Sequence, residues 1–118
     1  MILFAHGSRD PEWARPFHRI AHEVARRMPH AEVRVAYLEL MRPTLAEAVA
    51  ALAAVGAKSI RIVPLFLGPG AHVTEDLPRL VSQIGAAHGD LELSLEEPIG
   101  EQPEVIAAIA GAIAGGAS

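Results

Sequence analysis

Pro64 to Pro78 reads PLFLGPGAHVTEDLP, in which an apolar strand runs into a glycine-rich turn, one histidine and the start of a helix. The strand begins upstream, and residues 59–67 are rich in Ile, Val, Leu and Phe, as is typical of a strand buried on both faces of a parallel sheet. Proline cannot donate to a sheet ladder, so Pro64 is expected near the end of the strand. After a loop over 68–74, the apolar spacing predicts a helix over 76–87.

The rest of the chain repeats this alternation of short apolar runs and longer amphipathic stretches. Four strands alternating with four helices predict a three-layer α/β sandwich with a four-stranded parallel sheet and right-handed crossovers. Pro16 is expected to start or bend the regular part of the first helix. The remaining predicted elements are strands at 1–5, 32–38 and 91–95, helices at 12–28, 44–56 and 105–113, and a frayed tail at 115–118.

Length and composition exclude several classes of protein. The 118 residues, 51% of them hydrophobic, predict a single domain over 1–118. The net charge of −4 and the five aromatic residues argue against binding nucleic acid or an anionic membrane surface. With no cysteine, a metal site would have to use nitrogen and oxygen ligands. No signal peptide and no membrane span are recognisable, so a cytoplasmic location is expected.

Three candidate metal ligands follow three different strands. His6 follows the first strand, Glu39 ends the second, and His72 follows the third. Parallel strands bring their carboxyl ends to one edge of the sheet, where ligands bind in such folds. Two imidazoles and a carboxylate suit divalent Co, Ni, Fe or Zn and leave coordination positions open for a substrate. A histidine at a strand end can instead simply hydrogen-bond a loop carbonyl.

Other residues near this edge are candidates for binding a substrate. Gly68 and Gly70 would let a flat ligand approach the backbone, although an ordinary turn explains them equally well. Arg9 and Arg42 lie beyond strand ends and could hold carboxylates, or could form ion pairs with Asp10 or Glu39. The hydrophobic residues expected to bracket a ligand are Phe66, Leu67 and Val73. Asp76 is expected to cap the following helix, with Thr74 as the competing candidate.

The remaining polar candidates are weaker. His18 and His22 stand four apart on a helix, but their charged neighbours favour a solvated face. His30 and His88 flank helix ends and complement the helix dipoles. Ser8 could join His6 and Glu39 in a hydrolase triad, but the chain lacks the G-x-S-x-G pattern of a nucleophile elbow.

At these residues the chain resembles the small class II chelatases of tetrapyrrole biosynthesis, the sirohydrochlorin cobaltochelatase family with its nickel and iron relatives. The resemblance implies a chelatase-like, flavodoxin-like topology. Three segments carry it, in order along the chain: FAHGSR at 4–9, AYLE at 36–39 with Pro43, and PLFLGPGAHVTEDLP at 64–78.

The resemblance implies that His6 and His72 bind the metal and that Glu39 is the nearby carboxylate. It implies a lyase that inserts a divalent metal, Co²⁺ above all, into sirohydrochlorin in cobalamin biosynthesis. Ni²⁺ or Fe²⁺ insertion, for coenzyme F430 or siroheme, and a noncatalytic metal or tetrapyrrole carrier are the alternatives. The metal is then a substrate, and no tightly bound cofactor is expected. Ser8, Arg9, Arg42, Gly68 and Gly70 would contact the polycarboxylated macrocycle, in a cleft built between the two copies of a homodimer.

Overall fold

The computed structural model describes residues 1–68 and 70–115, apart from the side chains of residues 71–74. Strands and helices alternate in the predicted order. The strands are β1 (Ile2–Ala5), β2 (Arg34–Tyr37), β3 (Ser59–Pro64) and β4 (Glu92–Leu95). The helices are α1 (Arg15–Arg27), α2 (Leu45–Ala54), α3 (Ala71–Ala86) and α4 (Pro103–Gly115), with 3-10 turns at Pro11–Ala14 and Ile99–Glu101.

The four strands form one parallel sheet in the order β2-β1-β3-β4. Phe4 of β1 lies opposite Ala36 of β2 on one side and Pro64 of β3 on the other. This order matches the start of the flavodoxin-like arrangement, so the predicted fold class is confirmed. The carboxyl ends of β1, β2 and β3 therefore meet at one edge of the sheet.

Helices pack on both faces of the sheet. On one face, Ile2 and Phe4 of β1 and Ile62 of β3 belong to a buried cluster with apolar residues of α2 and α3. The other face holds a smaller cluster, in which Ala5 and Tyr37 pack with residues that precede or belong to α1. Burial of these apolar side chains is the main stabilising term for such a layered fold.

The start of α2, predicted near Thr44, is fixed by a capping box that the sequence analysis did not predict. The Thr44 hydroxyl accepts a hydrogen bond from the Glu47 amide at 3.2 Å, and the Glu47 carboxylate accepts one from the Thr44 amide at 2.9 Å. Both of these otherwise unpaired amides are thereby satisfied. Arg42 binds the same carboxylate, with Nε 3.2 Å from Oε1.

The predicted boundaries around the decisive segment were wrong at two points. β3 ends at Pro64 rather than Leu67, because Phe66 turns away from the ladder and into the core. α3 begins at Ala71 rather than residue 76, with Gly70 as its N-cap and no side-chain cap from Thr74 or Asp76. Residues 71–75 contain no glycine or proline, so the helix extends backward until the glycine-proline turn ends it. Pro78 consequently lies inside α3.

Candidate metal and substrate site

His6 and Glu39 lie together at the carboxyl edge of the sheet. His6 Nε2 is 3.3 Å from Glu39 Oε1, and the two side chains are 52% and 56% exposed. The pairing of β1 with β2 continues past the strand ends, since the Glu39 amide donates to the His6 carbonyl at 3.1 Å. An imidazole and a carboxylate are thus held side by side and open to solvent.

Gly7 makes this close approach possible. It has a φ of +105°, and a Cβ built on it would lie 1.8 Å from the Glu39 carbonyl oxygen. Any side chain at this position would push the two loops apart. Beyond Glu39, Leu40 also has a positive φ of 66°, while the Met41 amide donates to the Glu39 carbonyl at 2.8 Å. This tight turn directs the chain away immediately after the carboxylate.

Phe66 supports the His6 ring from the core side. The two ring centroids are 6.2 Å apart at an interplanar angle of 71°, and Phe66 makes a similar edge contact with Phe4 at 6.0 Å. Phe66 is 9% exposed, so the expectation that it brackets a ligand is wrong, and it acts instead as packing beneath the site. Leu67 is 70% exposed and remains available for a ligand. The side chain of Val73 lies outside the described residues.

Gly100 makes a backbone contact near the site that the sequence did not predict. Its amide donates to the Phe66 carbonyl at 2.9 Å, and a Cβ on it would lie 2.0 Å from the Leu67 carbonyl oxygen. The 3-10 turn after β4 is thereby clamped onto the segment that supports His6. A glycine shortly after a strand end, in the Pro98-Ile99-Gly100 run, was the available signal.

His72 lies in the first turn of α3, not in a loop as expected. Its side chain is outside the described residues, so its convergence with His6 stays a prediction. Two observations support that prediction: β3 is hydrogen-bonded directly beside β1, and the segment after β3 contacts the His6 ring through Phe66. Among the described side chains, no group of three potential metal ligands occurs.

The predicted substrate contacts have different surroundings. The Ser8 hydroxyl accepts a hydrogen bond from the Asp10 amide at 3.1 Å, so it orders the turn after His6. Asp10 in turn caps the 3-10 turn at Pro11–Ala14. Arg9 is exposed and forms no ion pair within the described part of the chain. Arg42 pairs with Glu47 rather than with Glu39, and this pairing raises the pKa of its guanidinium.

Gly68 and Gly70, predicted to let a flat ligand approach, have different backbone surroundings. A Cβ on Gly68 would meet no atom of the described residues within 4 Å, so open space lies beside the backbone there. Gly70 is extended, with φ −64° and ψ 144°, as the N-cap of α3. Pro69 lies outside the described residues.

His18 has a structural partner that the sequence did not predict. Its Nε2 is 3.3 Å from the hydroxyl of Tyr37, whose burial raises the pKa of the phenol. His18 is nevertheless exposed, as the solvated face predicts, and the Tyr37 contact adds a partner on β2. His22 is exposed, as expected.

Comparison with known proteins decides the family. The profile of the CbiX family matches residues 1–114. The chain belongs to the CbiX family. It is 34% identical over 93 residues to a sirohydrochlorin cobaltochelatase of Methanosarcina barkeri, covering 79% of this chain and 72% of that protein. A sirohydrochlorin cobaltochelatase of Saccharolobus solfataricus is 32% identical over 106 residues, covering 85% and 81%. The predicted resemblance to a metal chelatase of this class is confirmed.

Solved structures agree with the family assignment. A cobalamin biosynthesis CbiX protein from Marinobacter aquaeolei VT8 superposes with a TM-score of 0.83 at 34% identity, covering 95% of this CbiX chain and 91% of that one. The sirohydrochlorin chelatase SirB from Bacillus subtilis subspecies spizizenii, in complex with cobalt, gives a TM-score of 0.75 at 28% identity. That match covers 95% of this chain but 48% of SirB, so this chain spans about half the length of SirB.

No helix among the described residues of this CbiX chain is long and apolar enough to cross a bilayer.

Proposed function

We propose that this CbiX chain is a sirohydrochlorin chelatase that inserts Co²⁺ into the macrocycle, in the biosynthesis of cobalamin. The observation that carries the proposal is the His6–Glu39 pair, 3.3 Å apart and open to solvent at the carboxyl edge of the sheet. The names of the relatives, which are cobaltochelatases, favour this metal and this substrate. Ni²⁺ or Fe²⁺ insertion remains the alternative outcome.

His6 and His72 are proposed to hold the incoming ion. Imidazole nitrogens bind Co²⁺, Ni²⁺ and Fe²⁺ well, and two of them leave several coordination positions for water and then for ring nitrogens. The metal must leave the protein during the reaction, so a partial ligand set on an exposed edge suits the task better than a closed site. His6 is oriented for this role by the Phe66 ring behind it and by the Glu39 carboxylate beside it.

Glu39 is proposed to accept protons from the macrocycle. Insertion of a divalent ion releases two pyrrolic protons, and each needs an acceptor near the ring. The Glu39 carboxylate lies within hydrogen-bonding range of His6 and is half-exposed, so a proton taken from a pyrrole nitrogen can pass to solvent. It can also share in coordinating the ion before transfer.

The macrocycle is proposed to lie across the loops at this edge. Leu67 offers an exposed apolar contact, and the open space beside Gly68 admits a flat ring. Arg9, which is exposed beyond the His6 turn, can bind the ring carboxylates. Because the chain has a net charge of −4, this recognition must be local rather than a property of the whole surface.

A homodimer is proposed to complete the cleft. One copy presents the site on an open edge, and a second copy would provide the facing wall. The SirB match supports this arrangement, since one copy of this chain corresponds to about half of that protein.

The test is a multiple-turnover absorbance assay with sirohydrochlorin and Co²⁺, Ni²⁺ or Fe²⁺ in parallel. The wild type should form many metallated products per chain, fastest with Co²⁺. His6→Ala and His72→Ala should abolish catalysed insertion, whereas His22→Ala, an exposed histidine on α1, should retain it. Insertion that is unaffected in both site variants would refute the assignment. Uptake that stops at one metal per chain would indicate a carrier.

A further inference from the structure

Helix α4 is apolar and uncovered. From Val105 onward the chain contains no charged residue. No residue of α4 is buried, and Ile106, Ile109 and Ile113 are 54%, 42% and 72% exposed. Their spacing of three and four residues places them on one side of the helix. An exposed apolar stripe of this kind marks a contact surface.

On the face of the sheet away from α2 and α3, the exposed positions of β3 and β4 are polar or charged. Ile60 and Ile62 of β3 face the core beneath α2 and α3, so Arg61, which lies between them, faces the opposite side. On that side Arg61 is paired in register with Ser94 of β4 and bound through two nitrogens to the Glu96 carboxylate. A helix that folded back over β3 and β4 would therefore cover polar and charged groups.

The contacts of α4 are accordingly concentrated on the preceding 3-10 turn, Ile99–Glu101. The molecule is elongated, measuring 53 × 34 × 29 Å, as expected when a helix projects from the body. Since that turn is clamped to Phe66 and Leu67 through Gly100, α4 begins beside the edge that carries His6 and Glu39.

We infer that α4 packs against α4 of a second copy of this chain, about a two-fold axis. The inference rests on the homodimer included in the proposed function and names the element that forms it. A two-fold interface uses the same patch twice, and an uncharged stripe of isoleucines is complementary to itself. Ala110 lies within the stripe between Ile106 and Ile113, and its small side chain permits close approach of the two helices.

A second copy is the occupant that the SirB match favours. The match to SirB covers 95% of this chain but only 48% of SirB. A second copy of this chain would supply a counterpart for the rest of SirB. Because α4 starts at the site edge, a partner held by it brings its own surface next to that edge. The pairing thus makes the partner part of the substrate cleft.

Sedimentation equilibrium of the purified chain tests the pairing without reference to activity. The wild type should have twice the 12.5 kDa mass of the chain, and Ile109→Glu should reduce it to the monomer with its circular dichroism unchanged. Ile20→Glu is the matched control, because Ile20 on α1 is also 42% exposed. It should remain dimeric. A monomeric wild type, or a dimer that survives Ile109→Glu, would overturn the inference.

Cross-linking gives a second measurement, which does not depend on a disruptive variant. The chain has no cysteine, so Ala110→Cys introduces a single thiol at the proposed contact. Mild oxidation should convert it largely to a disulfide-linked dimer, while Ala25→Cys, on an exposed position of α1, should stay unlinked. Equal linking of both variants would contradict the pairing. A linked, dimeric chain that fails to insert any metal would instead refute the proposed function and leave the pairing standing.

Discussion

The imidazole of His6 and the carboxylate of Glu39 follow neighbouring parallel strands and lie 3.3 Å apart, where Gly7 allows the two loops to approach closely. The distance between the two side chains is set by the backbone of the two strand ends, not by the choice of rotamer in long side chains. The geometry of the site is therefore sensitive to the loops beneath it. Substitutions in these loops should change stability and activity measurably.

Gly7→Ala should destabilise the protein and damage the site together. The substituted Cβ would collide with the Glu39 carbonyl, and the φ of +105° is unfavourable for alanine. We expect the free energy of unfolding in urea to fall by at least about 2 kcal/mol. Gly89→Ala is the control, since a Cβ there meets no described atom within 4 Å, and it should change the free energy by less than about 1 kcal/mol. Equal effects of the two variants would contradict the close approach.

Phe66 and Leu67 are adjacent but should respond differently to truncation. Phe66→Ala removes a buried ring that packs on Phe4 and His6, so unfolding should become easier by about 3–5 kcal/mol. Leu67 is 70% exposed, so Leu67→Ala should change stability by less than about 0.5 kcal/mol. If Leu67 contacts the macrocycle, its variant should raise the KM for sirohydrochlorin. A stable Phe66→Ala protein would show that the ring is not core packing.

Arg9 and Arg42 should differ in how they affect the substrate. Arg9 has no ion pair in the described part of the chain, so Arg9→Ala should raise the KM for the polycarboxylate up to about fivefold and leave kcat unchanged. Arg42 already binds Glu47, so Arg42→Ala should mainly lower the urea midpoint by loosening the start of α2. Steady-state kinetics at two salt concentrations measure these KM values. The KM effect of Arg9→Ala should shrink at the higher salt concentration, because added salt weakens exposed charge contacts. A larger KM effect from Arg42 would reverse the assignment.

Glu47 should make the protein sensitive to acid. Arg42, and then the Thr44 amide, hold the pKa of its carboxyl at about 2, below the ordinary 4.5. A carboxyl with a lowered pKa in the folded state stabilises that state above pH 4.5 and loses this contribution as the pH falls toward 2. The urea midpoint of the wild type should therefore drop over this range more steeply than that of Glu47→Gln.

Glu97→Gln is the matched control for the acid experiment, because Glu97 is exposed and makes no ion pair in the described residues. Its midpoint should follow the wild type throughout. If the urea midpoint of Glu47→Gln follows that of the wild type equally closely, the Glu47 carboxyl does not contribute to stability in this pH range. The interpretation of the Arg42–Glu47 pair would then be wrong.

The fold was predictable because its signals are local and repeated. The apolar run before Pro64, the helix start predicted at 44, and the alternation of elements each specify one piece of the same α/β fold. The position of His6 and Glu39 at one edge followed from that topology alone. The structure shows the two side chains 3.3 Å apart, while their role in binding a metal stays a prediction.

The parts that were not predictable depend on contacts between distant segments. α3 starts early, at Ala71, because the helix extends past the capping candidates Thr74 and Asp76. A cap contributes only about 1 kcal/mol, which is too little to fix the helix start by itself. The role of Gly100 arises from its contact with Leu67, which is 33 positions earlier and invisible to local patterns. The pairing of His18 with Tyr37 likewise requires α1 to be placed on β2.

X-ray absorption of the Co²⁺-loaded protein, recorded without tetrapyrrole, measures most directly whether two distant histidines hold one ion. The wild type should show two imidazole ligands together with oxygen ligands, and His6→Ala and His72→Ala should each lose one imidazole. His18→Ala, which removes the partner of Tyr37, should keep both. An imidazole count that is the same in the wild type and in both site variants would contradict the shared metal site.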